Sequence, residues 1–120
     1  MYALVPTTMK KSFKNRLILR STSGLQFVLK AELVYLKANG SYTDYYVLKN
    51  GNLSCITQVG HLALHEEKLD NRFWRISQSC MVNLDFVERI CNDRTLQLTI
   101  PIPELLAMSV RYWKVIKKHR

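Results

Sequence analysis

The sequence predicts a mostly β domain carrying one or two short helices, and three features lead to that fold class. The first half contains five short runs of β-forming residues, punctuated by Thr22-Ser23-Gly24, Asn39-Gly40 and Asn50-Gly51. After Gly60 the apolar spacing lengthens from a strand period to a helical one. Near the centre, Arg72–Phe86 is too apolar and aromatic for a solvated loop, yet it fits neither period throughout.

In chain order, residues 1–15 have no apolar period and include Pro6, so they read as an extended basic lead-in to a domain spanning 16–120. Leu17–Ser21 and Leu25–Lys30 form a hairpin pattern, Leu33–Ala38 is a third run and Tyr42–Lys49 a fourth. Leu53–Gln58 completes an expected five-stranded meander. Leu62, His65 and Leu69 then recur at helical spacing beside Glu66, Glu67 and Lys68, which predicts a short amphipathic helix packed by its leucines. His61 and His65 are four residues apart, a spacing that can bind zinc. With no further cysteine or acid arranged around them, a solvated helix face is the favoured reading, and neither a metal nor a cofactor is expected.

In the central stretch, Phe73-Trp74 and Met81-Val82 act as two anchors around the polar Ser77-Gln78-Ser79. An anchored polar turn can present side chains to a ligand, although a well-packed connection satisfying its own backbone has the same pattern. Val87–Asn92 and Thr95–Ile100 flank Asp93-Arg94 as another hairpin, and Leu105–Met108 reads as a last short strand. Ser109 stands at the N-cap of a C-terminal helix, Val110–Lys118, with Val110, Trp113 and Ile116 expected inward and Arg111, Lys114, Lys117 and Lys118 outward.

Composition bounds the function. The 120 residues are 48% hydrophobic and 22% charged, as in one soluble globular domain. No apolar run approaches the roughly 18–20 residues of a membrane span, and Met1–Phe13 has no apolar signal core, so a cytoplasmic protein without membrane association is expected. Cys55, Cys80 and Cys91 are odd in number and lack metal spacing, which reads as reduced, mostly buried thiols. The net charge of +9 is concentrated at the ends. Residues 1–30 carry Lys10, Lys11, Lys14, Arg16, Arg20 and Lys30 and no acid, and 105–120 carry Arg111, Lys114, Lys117, Lys118 and Arg120 and no acid. Gathered on one face, these ends would suit a polyanion, with nucleic acid the leading choice. The chain has no phosphate-binding glycine loop, nucleophile elbow or paired carboxylates, so no enzyme is expected.

Four blocks resemble the LytTR-type DNA-binding domain of bacterial response regulators. They are Tyr35-Leu36-Lys37-Ala38-Asn39-Gly40-Ser41-Tyr42, the leucine-spaced Leu62–Leu69, the Trp74–Asn83 block with Trp74-Arg75, Ser79 and Val82-Asn83, and Ser109-Val110-Arg111 before a basic helix. Together they cover about residues 16–117. The resemblance implies short antiparallel sheets stacked in layers, and double-stranded DNA bound by loops that enter successive major grooves. Carried over, the first reading loop comprises Asn39, Ser41, Tyr42 and Thr43, and the second comprises Ser77 and Gln78 with Arg75 beside them. Arg111 leads the third, with Lys114 and Lys117 available to phosphate.

The residue chemistry agrees. Gln78 can bond an adenine edge and Arg111 can fork onto guanine, whereas Ser41, Thr43 and Ser77 suit phosphate or water-bridged contacts. Arg75 has an equally good structural reading, stacked on Trp74 or paired with an acid. Ser77 departs from the family's usual histidine, Gln78 from its arginine or asparagine, and Asp44 beside the first loop would repel phosphate unless turned away. The resemblance further implies a sequence-specific transcriptional regulator that dimerises on paired repeats. No receiver domain is present in the 120 residues, so the chain is a stand-alone regulator or the output of a longer protein with a receiver or sensor domain. The alternatives are a basic protein-interaction module and an RNA-binding β domain stacking bases on Tyr42, Tyr45 and Tyr46. Strand alternation weakens the last, because it puts Tyr45 on the opposite face from Tyr42 and Tyr46.

Overall fold

A computed structural model describes residues 15–118. The expected lead-in lies outside them apart from Asn15, as does Arg120. The strands are β1 (Arg16–Ser21), β2 (Gly24–Leu29), β3 (Leu33–Asn39), β4 (Tyr42–Lys49), β5 (Asn52–Val59), β6 (Phe73–Ser77), β7 (Cys80–Asn83), β8 (Val87–Ile90) and β9 (Leu96–Leu98). The helices are α1 (Leu62–Glu66) and α2 (Val110–Lys117), and single 3-10 turns occupy Lys30–Glu32 and Leu84–Phe86.

These elements form three antiparallel sheets, β1-β2, β5-β4-β3-β7-β6 and β8-β9. The continuous five-stranded meander expected from the sequence is therefore corrected. The first hairpin stands apart, and the central sheet reaches five strands by adding β7 and β6 to β3. The 3-10 turn at Lys30–Glu32 makes the break. Glu32 Oε1 accepts from Leu29 N at 2.9 Å, which redirects the chain from one layer to the next.

The central sheet is buried on both faces. On one face Leu33, Leu36, Tyr45, Val47, Phe73 and Met81 pack against Leu17, Leu19 and Val28 of the hairpin and Leu62 of α1. On the other, Val34, Tyr35, Ile76 and Val82 pack against Leu96, Leu106 and Met108, with Tyr112, Trp113 and Ile116 of α2 closing over them. This double cover explains why Leu33–Leu36 is an unbroken apolar run, all of it buried. A register shift between Leu33 and Tyr35 helps distribute the run between the two faces.

The two Asn-Gly dipeptides form different turns. Asn50 and Gly51 both have positive φ, 53° and 79°, the type I′ pattern. At the first, Asn39 pairs with Tyr42 and the two loop residues are Gly40, at φ 60°, and Ser41. Only the first loop residue is left-handed, as in a type II′ turn, so Asn39 stays in the strand.

Asn83 ties the central sheet together from within. It is fully buried, and its Nδ2 donates to Leu33 O at 2.9 Å and Lys30 O at 3.4 Å while its Oδ1 accepts from Asp85 N at 2.9 Å. In the third layer, Asp93 Oδ1 accepts from Thr95 N and Oγ1, and Arg94 adopts φ 71°. The strand expected at Leu105–Met108 reduces to one bridge, Thr95 with Ala107.

Two expectations about α2 are corrected. Val110 is exposed, and Tyr112 joins Trp113 and Ile116 on the covered side. The tyrosine ring buries more area than the valine, so the helix turns to enclose it. Ser109 stands just before the helix, but its hydroxyl makes no capping bond, and its buried Oγ has no partner among the described residues. The thiols also differ from expectation, since only Cys80 is buried and Cys55 is exposed. No described helix is long and apolar enough to cross a membrane.

Candidate nucleic-acid interface

The strand register brings three of the expected segments to one end of the central sheet. β3 and β4 meet there at Gly40-Ser41, and Ser41 O accepts from Gly60 N at 2.9 Å beside the Tyr42–Val59 pair. β6 and β7 meet at Gln78-Ser79. Lys37 pairs with Cys80, and Ala38 N donates to Ser79 O at 2.8 Å, so this turn lies alongside the first. Ser109 N donates to Ile76 O at 2.8 Å, which starts α2 beside the last residues of β6.

Within the first segment, Asn39 and Ser41 are exposed and Tyr42 is 49% exposed. Asn39 Nδ2 reaches Asp44 Oδ2 at 3.3 Å, and Asp44 also accepts from Thr57 Oγ1 at 2.6 Å. The aspartate is thus engaged along the sheet, which answers the concern that it would face phosphate. Thr43 differs from its neighbours. It is fully buried and donates to Gly60 O at 2.9 Å, so its hydroxyl holds the loop base and does not face solvent.

In the second segment, Gln78 is exposed, and its side-chain amide has no hydrogen bond among the described residues. Ser77 is half-buried, with its Oγ accepting from Ser79 N at 3.2 Å. Arg75 adopts the structural arrangement weighed above. One guanidinium nitrogen donates to Gln78 O at 2.7 Å and the other lies 3.3 Å from Glu66 Oε1. It fixes the turn that displays Gln78 and links that turn to α1.

On α2, Arg111, Lys114 and Lys117 are all exposed. The Arg111 guanidinium carbon lies 5.6 Å from the Tyr112 ring centroid, and Lys117 Nζ lies 5.6 Å from that of Trp113. Both cations rest against the aromatic stripe that docks the helix, with their charge turned to solvent. Of the three tyrosines considered for base stacking, only Tyr42 is exposed. Tyr45 is buried, and Tyr46 stacks on Tyr35 at 4.2 Å between centroids. Lys37 is also engaged, 2.6 Å from Glu104 Oε1, while Tyr35 donates to Glu104 Oε2 at 2.9 Å.

Helical spacing placed His65 on a solvated face, and this is corrected. His65 is 4% exposed, whereas His61 is exposed. Nε2 faces Val59 O at 2.9 Å, a group that can only accept, so it carries the proton. Nδ1 then accepts from Tyr45 Oη at 2.6 Å. With both nitrogens engaged, His65 supports the base of the first loop from below, a positioning role that leaves no signature in local spacing.

Burial lowers the His65 pKa below its ordinary 6.5, although the Val59 carbonyl opposes the shift, while Tyr45 is raised by burial. Just below pH 6.5 the unfolded chain binds a proton at His65 that the folded chain does not, so stability declines as pH falls through this window. The melting temperature is expected to drop more between about pH 7.5 and about pH 5.5 in the wild type than in His65→Gln. Parallel pH profiles of the two proteins would rule His65 out as the source.

Comparison with known proteins follows the same lines. A family model described as the LytTr DNA-binding domain matches residues 23–120. No curated protein matches the chain. Among solved structures, the LytTr DNA-binding domain of a putative methyl-accepting/DNA response regulator from Bacillus cereus is similar. Its TM-score is 0.70 at 23% identity, over 87% of this chain and 94% of that one. At that identity the likeness is one of fold.

Proposed function

Because the chain belongs to the LytTR family of DNA-binding domains, we propose that it binds specific sequences in double-stranded DNA as the output domain of a bacterial response regulator. In this reading the loops at one end of the central sheet enter successive major grooves. The observation that carries it is the convergence of the Gly40-Ser41 turn, the Gln78-Ser79 turn and the start of α2, with Gln78 and Arg111 exposed among them. Those two side chains offer the paired donors and acceptors that base edges require. Asn39, Ser41 and Tyr42 line the adjoining turn, and Lys114 and Lys117 supply charge to phosphate. Thr43, Arg75 and Ser77 hold the turns in place, acting on DNA through the neighbours they position.

The partners in this reading are DNA with paired repeats, a second copy bound to the adjoining repeat, and a receiver or sensor domain that controls the output. A family defined by DNA binding gives no part to catalysis. Selection from a random duplex pool, at physiological salt with competitor DNA, tests the proposal. A short enriched motif, repeated at about one helical turn, is the expected result. Salt-sensitive retention without any enriched sequence would reduce the domain to a basic surface.

Lys117 provides a separate check on the phosphate contacts. Lys117→Ala is expected to weaken binding to all sequences alike and to lower the salt slope by about one unit. A loss confined to one sequence would instead assign Lys117 to base readout.

A further inference from the structure

We propose that the free edge of β5 pairs with the same edge of a second copy of this chain. β5 is one margin of the central sheet. It is eight residues long with no charged residue and no proline, and it pairs with β4 without a register shift. Exposed edges are ordinarily blunted by charge, proline, a bulge or a covering element. The opposite margin, β6, has such protection. It carries Arg75, its register shifts between Arg75 and Ser77, and Ser109 N bonds Ile76 O. At β2, Lys49 Nζ donates to Phe27 O at 3.4 Å. Along β5, among the described residues, such cover lies toward the Gln58 end, where β1 runs alongside and the Gln58 amide bonds Arg20 N at 2.9 Å, Arg20 O at 2.7 Å and Thr57 O at 2.9 Å.

The register identifies which backbone groups are open. The two-residue turn makes Lys49 and Asn52 a hydrogen-bonded pair, so Ser54, Ile56 and Gln58 also direct their N–H and C=O toward β4. Leu53, Cys55 and Thr57 direct theirs outward. Among the described residues no group accepts from their N–H, and Cys55 and Thr57 are exposed. These three residues are evenly spaced about Cys55. In an antiparallel pairing centred there, Cys55 faces its own counterpart and Leu53 faces the counterpart of Thr57, so each outward N–H meets a C=O, that of Thr57 through the lone pair not taken by Gln58 Nε2. That is the self-complementary arrangement a two-fold axis requires.

Charge also favours a second copy at this edge. At a net charge of +9, copies repel one another over much of their surface, whereas pairing β5 with itself brings no two charged strand residues together. Because the paired strands are antiparallel, the loop-bearing ends of the two copies lie at opposite ends of the joined sheet along the strand direction. If those ends bind DNA as proposed above, the pair presents two DNA-facing ends directed apart.

Sedimentation equilibrium of the whole chain, in reducing buffer without DNA, tests the pairing independently of any DNA-binding activity. The weight-average mass is expected to rise with concentration from one chain toward two, and to do the same in Cys55→Ser. Cys55→Lys places like charges at the centre of the pair, and Cys55→Pro removes the central outward N–H while leaving the ladder to β4 intact. Each is expected to weaken self-association by about tenfold or more, with an unchanged circular dichroism spectrum. The mass of a single chain at every wild-type concentration, or undiminished self-association in either folded variant, overturns the proposal.

Discussion

Replacing Asn83 by alanine is expected to lower the free energy of unfolding by about 2–4 kcal/mol. The side chain is fully buried and makes bonds to Leu33 O, Lys30 O and Asp85 N. Alanine removes the donor to Leu33 O, on a residue with no solvent access. It also frees Asp85 N at the start of the 3-10 turn. Leaving a buried partner unsatisfied costs about 1–3 kcal/mol, more than the bond contributes net when made. Asn83→Asp keeps the shape but turns an acceptor toward Leu33 O, so it should destabilise at least as much. Urea unfolding at constant m checks both variants. A loss below about 1 kcal/mol in the alanine variant would show that these bonds do not hold β7 to the entry of β3.

Arg111→Ala is expected to reduce specific DNA affinity by about 1–3 kcal/mol and to relax preference at one base pair. Arg111 is exposed at the start of α2, so folding stability should stay within about 0.5 kcal/mol of wild type. Arg111→Lys separates charge from geometry. It retains the cation but lacks the planar fork, so it should keep much of the salt-dependent affinity while losing the base preference. Binding profiles from the random-pool selection give the comparison directly. An unchanged profile in Arg111→Ala would remove Arg111 from the reading set.

The elements legible in the sequence are those whose partners lie close along the chain. Tyr42–Lys49 alternates cleanly and forms β4 with those bounds. The Asn50-Gly51 turn and the Ser77-Gln78-Ser79 turn lie where turn chemistry predicted them. The cations of α2 were readable because a helix with one apolar stripe leaves its other side to solvent. The burial of His65 is not legible in the sequence, because five residues of helix give too short a period to locate a face. Its burial depends on Tyr45 and Val59, which approach it from other elements. The burial of Thr43 is likewise not legible, because its spacing gives no sign of the bond to Gly60 O.

By itself the sequence determined a mostly β domain, the main turns, the segregation of charge to the two ends and the four blocks that mark the family. These are properties of local propensity and spacing, which act over a few residues. The tertiary structure decided that the first hairpin forms its own layer, that Arg75 braces a turn against Glu66, and that Tyr112 displaces Val110 from the covered face of α2. It also decided that β5, with no charged residue and no proline, forms one margin of the central sheet. Each of these depends on burial and pairing between segments distant in the chain, where the area enclosed and the bonds satisfied outweigh any local preference.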